Sequence, residues 1–297
     1  MEIKTLLQEF CDYALYARGR SNNTIKGYRF IANLFCKDTG VAEIEDITTD
    51  LVRNWFYLGR KDRKWAPACS ISYHKNLTVF FRWCLDNGYL KSNPCDDVEL
   101  PKLDKRLPPK LTKQDSAKLL EFVYNYPYNY RFLRFRNHAI FATFIFAGLR
   151  KAELLNLKYT DVDIENMSIF IRQGKGNKDR IVPMCYSLST ILRKYLDERK
   201  RLHKTCPEFF ASLNRNMGFC DSGLRNLTVK MREESGIKFG IHKLRHTFAT
   251  LMLEGGCDIF SLSKMMGHSD IKTTTIYLAA SVEHLRKQIL NHPLNNL

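Results

Sequence analysis

Apolar residues recur at helical spacing through the first hundred positions of the chain. Intervals of three and four residues are typical of amphipathic helices. The pattern predicts four helices, over 3–17, 24–37, 49–57 and 68–87. Ser21 is a suitable N-cap for the second helix, and Gly88 is a typical C-terminal signal for the fourth. No strand pattern interrupts them, so a helical N-terminal domain is predicted over residues 1–92.

A basic, proline-punctuated stretch follows this domain. Its prolines are Pro94, Pro101, Pro108 and Pro109. Proline cannot continue a helix and disfavours helical backbone in the residue before it, so an extended linker is predicted over 93–110. The cations of the central and final part of this stretch are Lys102, Lys105, Arg106 and Lys110.

From residue 111 onward the pattern is mostly helical with a little sheet. Helices are expected over 112–126, 131–147, 187–202, 221–235, 242–254, 258–266 and 281–291. Two short strand patterns, 168–172 and 180–184, flank six glycine and polar residues, which predicts a hairpin with its tip at 174–179. The predicted fold class is therefore mainly α: a helical N-terminal domain and a mixed α/β, mostly helical domain over 111–297 with a small antiparallel sheet.

Composition adds a charge signal to this outline. The 297 residues suggest two domains, and 47 Lys and Arg against 31 Asp and Glu give a formal net charge of +16. Between residues 101 and 250 there are 29 basic and 14 acidic side chains, so nearly all of the excess lies in the middle of the chain. A basic surface that serves solubility alone predicts charge spread throughout. The concentration favours a polyanionic partner, nucleic acid above all.

Several classes of protein are disfavoured. The longest nearly apolar run, Ala139–Leu149, is far shorter than the roughly 20 residues needed to span a bilayer. The start lacks a basic segment followed by an apolar one, so a cytoplasmic protein is expected. The cysteines are nine in number, with no C-x-x-C pair, which argues against a disulfide framework and a thiolate metal site. We expect nine reduced thiols, most of them buried.

Candidate chemistry lies in the second half. Attack on a phosphodiester needs a nucleophile, cations on the non-bridging oxygens and a proton for the leaving oxygen. Arginine suits the cationic task because its planar fork binds two oxygens and keeps its charge. The candidate residues are Arg150 with Glu153, Lys175 on the glycine-flanked tip, His242 and Arg245 on one helix face, His268, and Tyr277.

Each of these residues has a simpler interpretation when taken singly. Arg150 and Glu153 could form an ordinary ion pair, Lys175 could be a solvated lysine, and Tyr277 could be a core residue. His242, His246 and His268 could be metal ligands, since histidines at i and i+4 can chelate. The sequence has no H-E-x-x-H motif, however, and no metal is expected. The set in this order is more specific than its members.

In this order the residues carry a resemblance. The motifs are Ala147-Gly148-Leu149-Arg150-Lys151-Ala152-Glu153-Leu154, Gly174-Lys175-Gly176-Asn177-Lys178-Asp179-Arg180, His242-Lys243-Leu244-Arg245-His246-Thr247-Phe248-Ala249-Thr250, and Met266-Gly267-His268-Ser269-Asp270-Ile271 leading to Tyr277. With them, nearly the whole chain resembles the tyrosine recombinases, also called phage-type integrases, and most of all their simple Xer-like members. One departure is that Leu278-Ala279 follows the tyrosine where many Xer-like members have Thr-His.

The resemblance implies a role for each matching residue. Tyr277 would be the nucleophile, forming a 3′-phosphotyrosyl bond and releasing a 5′-hydroxyl. Arg150 and Arg245 would clamp the phosphate, and His268 would donate a further hydrogen bond to it. Lys175 would protonate the leaving oxygen, His242 would assist proton transfer at the tyrosine, and Glu153 would orient its neighbours. The covalent bond conserves the phosphodiester energy, so neither cofactor nor metal would be required.

The resemblance also implies an architecture and partners. The helical domain would be a core-binding, SAM-like domain that clamps double-stranded DNA together with the catalytic domain. The linker, with Lys102, Lys105, Arg106 and Lys110, would run along the DNA. Four copies on paired inverted half-sites would exchange the helix over 281–291, and host accessory proteins could take part. Two alternatives remain at this point: a DNA-binding architectural or regulatory protein that does not cut, and a relaxing topoisomerase.

Overall fold

The chain divides into two units between residues 105 and 106. A computed structural model describes residues 1–103, 108–172, 179–268 and 270–278. Within these ranges the structure is helical apart from one small sheet, which confirms the predicted fold class. No helix in the ranges is both long enough and apolar enough to cross a membrane.

The first unit contains the four predicted helices. They are α1 Ile3–Asp12, which continues as a π-helical turn Tyr13–Ala17, α2 Asn22–Thr39, α3 Thr49–Lys61 and α4 Pro67–Asp86. The Ser21 hydroxyl accepts a hydrogen bond from the Thr24 backbone N–H, so the predicted N-cap is confirmed. The third helix runs four residues beyond its predicted end. Glycine is needed at position 59 of this helix because the Trp65 ring occupies the space that a β-carbon would fill.

Aromatic side chains dominate the core of this unit. Phe10, Phe35, Phe80 and Phe81 are all buried, and their rings meet in tilted and edge-to-face pairs. A second ring cluster is anchored by Trp55, whose indole N–H donates to Asp38 at 2.9 Å. The unit therefore has a core of its own, as the helical pattern of the first hundred residues predicts.

Residues at both ends of the predicted linker, 93–110, contact the unit next to them. Cys95 and Val98 are buried in the core of the first unit, and the Asn93 side chain donates to the Thr78 carbonyl. At the other end, Lys110 forms an ion pair with Glu254 in the second unit. The prolines do lie outside the helices, but a segment without helical structure can still pack on its domain. Lys102 is exposed, whereas Lys105 and Arg106 lie outside the described residues.

The second unit is built around one buried helix. Its helices are α5 Lys113–Asn125, α6 Arg131–Ala147, α7 Lys151–Asn156, α8 Tyr186–Arg201, α9 Asp221–Ser235, α10 Ile241–Glu254, α11 Ile259–Met266 and α12 Lys272–Thr275. Helix α6 packs against α5, α8 and α10. Eleven of its 17 residues are buried, and in the part from Ala139 to Ala147 only Phe146 is not, so this part is buried nearly all round, as expected of a central helix.

A three-stranded antiparallel sheet lies between α7 and α8. Its strands are β1 Val162–Asp163, β2 Ser168–Ile171 and β3 Arg180–Pro183, in the order β1-β2-β3. The pairing of Ile171 with Arg180 brings the ends of the predicted hairpin together, although residues 174–178 of its predicted tip at 174–179 lie outside the described residues. Strand β1 and helices α7 and α12 were not predicted, because two to six residues are too few for a periodic pattern to show.

All nine cysteines are free thiols, but only four of them are buried. The expectation that most would be buried is wrong. Cys185 and Cys220 are exposed because each precedes a helix, and the Cys220 sulfur accepts a hydrogen bond from the Gly223 backbone N–H. At position 220 cysteine therefore replaces the usual serine or threonine cap, whereas the Cys185 side chain makes no capping bond.

Candidate active site

A tight turn delivers Arg150 into the site. Helix α6 ends at Gly148, which has a left-handed backbone with φ +60°. A β-carbon at this position would lie 2.2 Å from the Phe248 ring, so both the turn and the packing require glycine. Leu149 is fully buried and Arg150 then caps the short helix α7. The sequence Gly148-Leu149-Arg150 therefore fixes one cation beside α10.

The Glu153 carboxylate accepts hydrogen bonds from two arginines. Arg150 donates to it from its backbone N–H at 2.7 Å and from Nη1 at 2.6 Å, while both terminal nitrogens of Arg180 donate at 2.8 Å. Burial would raise the pKa of Glu153, but the hydrogen bonds and charge of Arg180, with those from Arg150, outweigh it and lower the pKa to about 2. Glu153 is thus an anion whose role is to hold guanidinium groups in place.

Arg245 reaches the same place from α10. Its guanidinium donates to the Gly148 carbonyl at 2.5 Å and to the Met266 carbonyl at 2.6 Å, and Nη1 lies 4.0 Å from Glu153. Burial, reinforced by the neighbouring charge of Arg150, lowers the pKa of Arg245 to about 10. The group still carries its charge at neutral pH, so three guanidinium groups, those of Arg150, Arg180 and Arg245, lie around one carboxylate.

A second left-handed glycine places His268. Helix α11 ends at Gly267, with φ +63°, and a β-carbon there would lie 2.9 Å from Nη1 of Arg180. Arg150 donates to the Gly267 carbonyl at 2.7 Å. The His268 ring then contacts Arg245 through Nε2 at 3.2 Å and Thr274 through Nδ1 at 2.7 Å. The imidazole lies between α10 and the segment that leads to Tyr277.

Tyr277 is buried among apolar side chains of α10 and α11. Only 2% of its surface is exposed, and its hydroxyl oxygen lies 2.8 Å from Nδ1 of His246. Burial raises the pKa of Tyr277, and the charges of Arg245 and Arg150 partly oppose that rise. Burial together with the charges of His242 and Arg245 lowers the pKa of His246, which favours its neutral form. A neutral Nδ1 can accept the phenolic proton.

The structure brings five of the predicted residues together: Arg150, Glu153, Arg245, His268 and Tyr277. His242 lies one turn before His246 on α10, and its side chain makes no hydrogen bond to another described residue, so the histidine in contact with the tyrosine is His246. Lys175 lies outside the described residues. Within the described ranges, no group of His, Cys, Asp and Glu side chains is suited to hold a metal ion.

Sequence reasoning missed two residues of the site, His246 and Arg180. The signal for His246 was its position four residues after His242, which places both on one helix face. Arg180 is the last residue of the Gly174-to-Arg180 motif and the first of β3. The sequence therefore placed it next to Lys175, but gave no sign that its side chain binds Glu153. Its bidentate bond to Glu153 joins the hairpin to the turn that carries Arg150.

The chain is similar to known proteins in sequence and in fold. Residues 109–284 match the phage integrase family. The tyrosine recombinase XerD of Listeria monocytogenes (serovar 1/2a) is 33% identical over 285 residues, which cover 92% of this chain and 93% of XerD. A crystal structure of XerA recombinase is 27% identical with a TM-score of 0.55, over 97% of this chain and 98% of that one.

The fold has a further counterpart in XerH site-specific recombinase. Its structure on palindromic difH substrate, a post-cleavage complex, has a TM-score of 0.73 and 21% identity over 96% of this chain and 83% of that one. The family match spans more than half of the chain, and the XerD relationship spans nearly all of it. The chain belongs to the phage integrase family and is a tyrosine-type site-specific recombinase.

Proposed function

We propose that this recombinase cuts one DNA strand with the hydroxyl of Tyr277. The phenolic oxygen attacks the scissile phosphorus, a 3′-phosphotyrosyl bond forms, and the bond from phosphorus to the 5′ oxygen breaks. The observation that carries the proposal is the 2.8 Å contact between the tyrosine hydroxyl and His246, beside the guanidinium groups of Arg150 and Arg245. A phenol of pKa about 10 needs both a proton acceptor and nearby cations to react at neutral pH.

The two arginines are proposed to clamp the non-bridging oxygens. In the structure they donate to main-chain carbonyls, Arg150 to Gly267 and Arg245 to Gly148 and Met266. Those bonds hold the guanidinium groups in place before the phosphate arrives, which is the preorganisation that electrostatic catalysis requires. The negative charge of Glu153 partly offsets the repulsion between the two groups.

His246 is proposed to receive the phenolic proton. Its lowered pKa keeps Nδ1 free to accept, and Nδ1 already lies at hydrogen-bond distance from the tyrosine oxygen. His242, one turn earlier, acts on this step through its charge on His246. This differs from the assignment that the family resemblance implies, in which His242 assists the tyrosine directly.

The test of the proposed function is covalent capture. The protein is incubated with a library of nicked duplexes of random sequence, in which the short fragment beyond the cut diffuses away and traps the adduct. Protein-linked DNA is sequenced to give a captured duplex, and the modified peptide is mapped by mass spectrometry. We expect a 3′-phosphate ester on Tyr277. Binding without any adduct would favour the non-cutting alternative, and an adduct on another residue would exclude Tyr277 as nucleophile.

Lys175 is proposed as the acid that protonates the 5′ leaving oxygen. Lys175→Ala should cleave the captured duplex about 100-fold or more slowly than the wild type. A 5′ bridging sulfur leaves as thiolate without a proton, so the same variant should cleave the sulfur-substituted duplex at nearly the wild-type rate. An equal loss on both duplexes would contradict the assignment. Lys178→Ala is the matched control, because it changes another lysine of the same segment.

The partners are proposed to be double-stranded DNA with paired inverted half-sites and three further copies of the chain. Ser281 can cap a helix over 281–291 that carries Val282, Leu285 and Ile289 on one face, although these residues lie outside the described ranges. Docking of this helix on a neighbouring copy would close a ring of four. We further propose that the protein acts in the cytoplasm, with host accessory proteins where the site requires them.

Removal of residues 281–297 tests this assembly. The truncated protein should bind a single half-site normally but lose cooperative binding to paired half-sites, and with it recombination. Band-shift titrations on single and paired half-sites measure both properties, and thermal unfolding checks that the fold survives. Undiminished cooperativity, or loss of the fold, would contradict a docking role for this helix.

A further inference from the structure

Thr274 holds a position that none of the motifs assigns. It is fully buried one turn before Tyr277, and its carbonyl accepts a hydrogen bond from the Tyr277 N–H at 3.0 Å. Its hydroxyl lies 2.7 Å from Nδ1 of His268. One residue therefore joins the backbone of the nucleophile segment to the ring of the histidine that is proposed to face the phosphate.

The partners of His268 determine which ring nitrogen carries the proton. A guanidinium group can only donate, so Nε2 must accept the bond from Arg245 and carries no proton in a neutral ring. The proton of the neutral imidazole then lies on Nδ1 and is donated to the Thr274 hydroxyl oxygen. This tautomer cannot donate a hydrogen bond from Nε2 to a phosphate oxygen.

The hydroxyl of Thr274 allows the opposite arrangement as well, because a hydroxyl both donates and accepts. If Arg245 turns to a bound phosphate, Nε2 is released from its donor. The ring proton can then be taken up at Nε2 and lost from Nδ1 through solvent, so the ring stays neutral. Thr274 reverses its bond and donates to Nδ1, while Nε2–H points to the phosphate oxygen. The ring keeps the same anchor in both states.

We propose that Thr274 is a positioning residue that fixes the ring of His268 and permits its tautomer to switch when DNA binds. The proposal rests on the proposed function, since it concerns the histidine beside the scissile phosphate. It adds that the pairing of His268 with Arg245 and Thr274 holds the ring in a form that cannot assist cleavage. The change of partner at Arg245 would then couple phosphate binding to the histidine and, through Thr274, to the tyrosine segment.

Nitrogen NMR of the imidazole rings tests the pairing without any activity. The full chain labelled at the imidazole nitrogens has eight histidines, and the His268 signals are assigned by their absence in His268→Gln. In the DNA-free protein we expect a proton on Nδ1. In the uncleaved complex of Tyr277→Phe with the captured duplex, we expect it on Nε2. A proton on Nε2 in the free protein, or an imidazolium ring in the complex, would overturn the switch.

Cleavage rates test the role of the hydroxyl. At metal sites, the outer partners that fix a histidine tautomer contribute about 10- to 100-fold, and we expect a loss of similar size in the single-turnover rate of Thr274→Val. Affinity for the captured duplex should stay within about threefold, since no phosphate contact is removed. Thr274→Ser keeps the hydroxyl and should restore the rate. The matched control is Thr275→Val, because the Thr275 hydroxyl is exposed and donates to the Lys272 carbonyl.

The outcomes separate this proposal from the proposed function. If wild-type protein gives the Tyr277 adduct while Thr274→Val cleaves at the wild-type rate, the positioning role fails and the nucleophile stands. If no adduct forms at all, the NMR result on the DNA-free protein still decides whether the ring proton of His268 lies on Nδ1, beside Thr274. Should Thr274→Val prove unfolded, a slow Thr274→Ser with unchanged stability would equally overturn the proposal.

Discussion

Tyr277→Phe should bind DNA as tightly as the wild type and form no covalent adduct. The substitution removes only the phenolic oxygen and leaves a ring that packs among Phe248, Leu253 and Met266. The lost contact with His246 should lower the free energy of unfolding by about 1 kcal/mol, the usual net value of one hydrogen bond. Binding is measured by band-shift on the captured duplex, and the adduct by denaturing electrophoresis.

A second buried tyrosine supplies the matched control. Tyr195 is fully buried, and its hydroxyl donates to the Phe209 carbonyl and accepts from the Ala211 N–H. Tyr195→Phe should therefore lower stability at least as much as Tyr277→Phe while retaining the adduct. If both variants lose it, the loss reports damage to the unit and not to the nucleophile. Residual adduct in Tyr277→Phe would point to another attacking group.

The local features of the fold were predictable because they depend on neighbours in the sequence. Ser21 was expected as an N-cap, and its side chain accepts a hydrogen bond from the Thr24 backbone N–H three residues on. Gly148 was expected as the end of α6, and it adopts the left-handed conformation that such an end requires. Where a cap and a periodic stretch agree, the element is specified twice.

The contacts of the site depend instead on residues far apart in the chain. The bond between Glu153 and Arg180 spans 27 residues, and the one between Arg245 and Gly148 spans 97. No periodicity reports such a pairing. Helical spacing places His242 and His246 on the same face of α10, and only the packing of the tyrosine segment against that helix shows which of them meets Tyr277.

The sequence also does not show which of three neighbouring threonines faces the site. Nothing in the run Lys272-Thr273-Thr274-Thr275 distinguishes the three threonines from one another. The short helix α12 turns the middle one inward to His268 and leaves its neighbours exposed. The short helices α7 and α12 thus escaped the sequence pattern, although each carries residues that orient the site.

Glu153→Gln should destabilise the second unit by about 3 kcal/mol at pH 7. A pKa of about 2 in the folded protein, against a usual value of 4.5, is a difference of about 2.5 units at about 1.4 kcal/mol each. The side chain is only 7% exposed, so solvent screens little of this interaction. Glutamine keeps the shape and one acceptor oxygen but leaves the guanidinium groups of Arg150 and Arg180 without their counter-charge.

The sign of the pH dependence follows from the depressed pKa. The stabilisation by Glu153 is fully present above about pH 4.5 and is lost as the pH falls from there towards about 2, where the folded protein also takes up the proton. The free energies of unfolding of wild type and Glu153→Gln, measured by urea denaturation, should therefore differ most at pH 7 and converge below pH 4.5.

The matched control is Glu165→Gln, whose exposed pair with Arg193 should contribute less than about 1 kcal/mol at any pH. A difference for Glu153 that stays constant between pH 7 and pH 3 would mean that shape, and not charge, makes this carboxylate necessary. Because the same carboxylate holds Arg150 in place, the variant should also cleave the captured duplex more slowly at pH 7, where it remains folded.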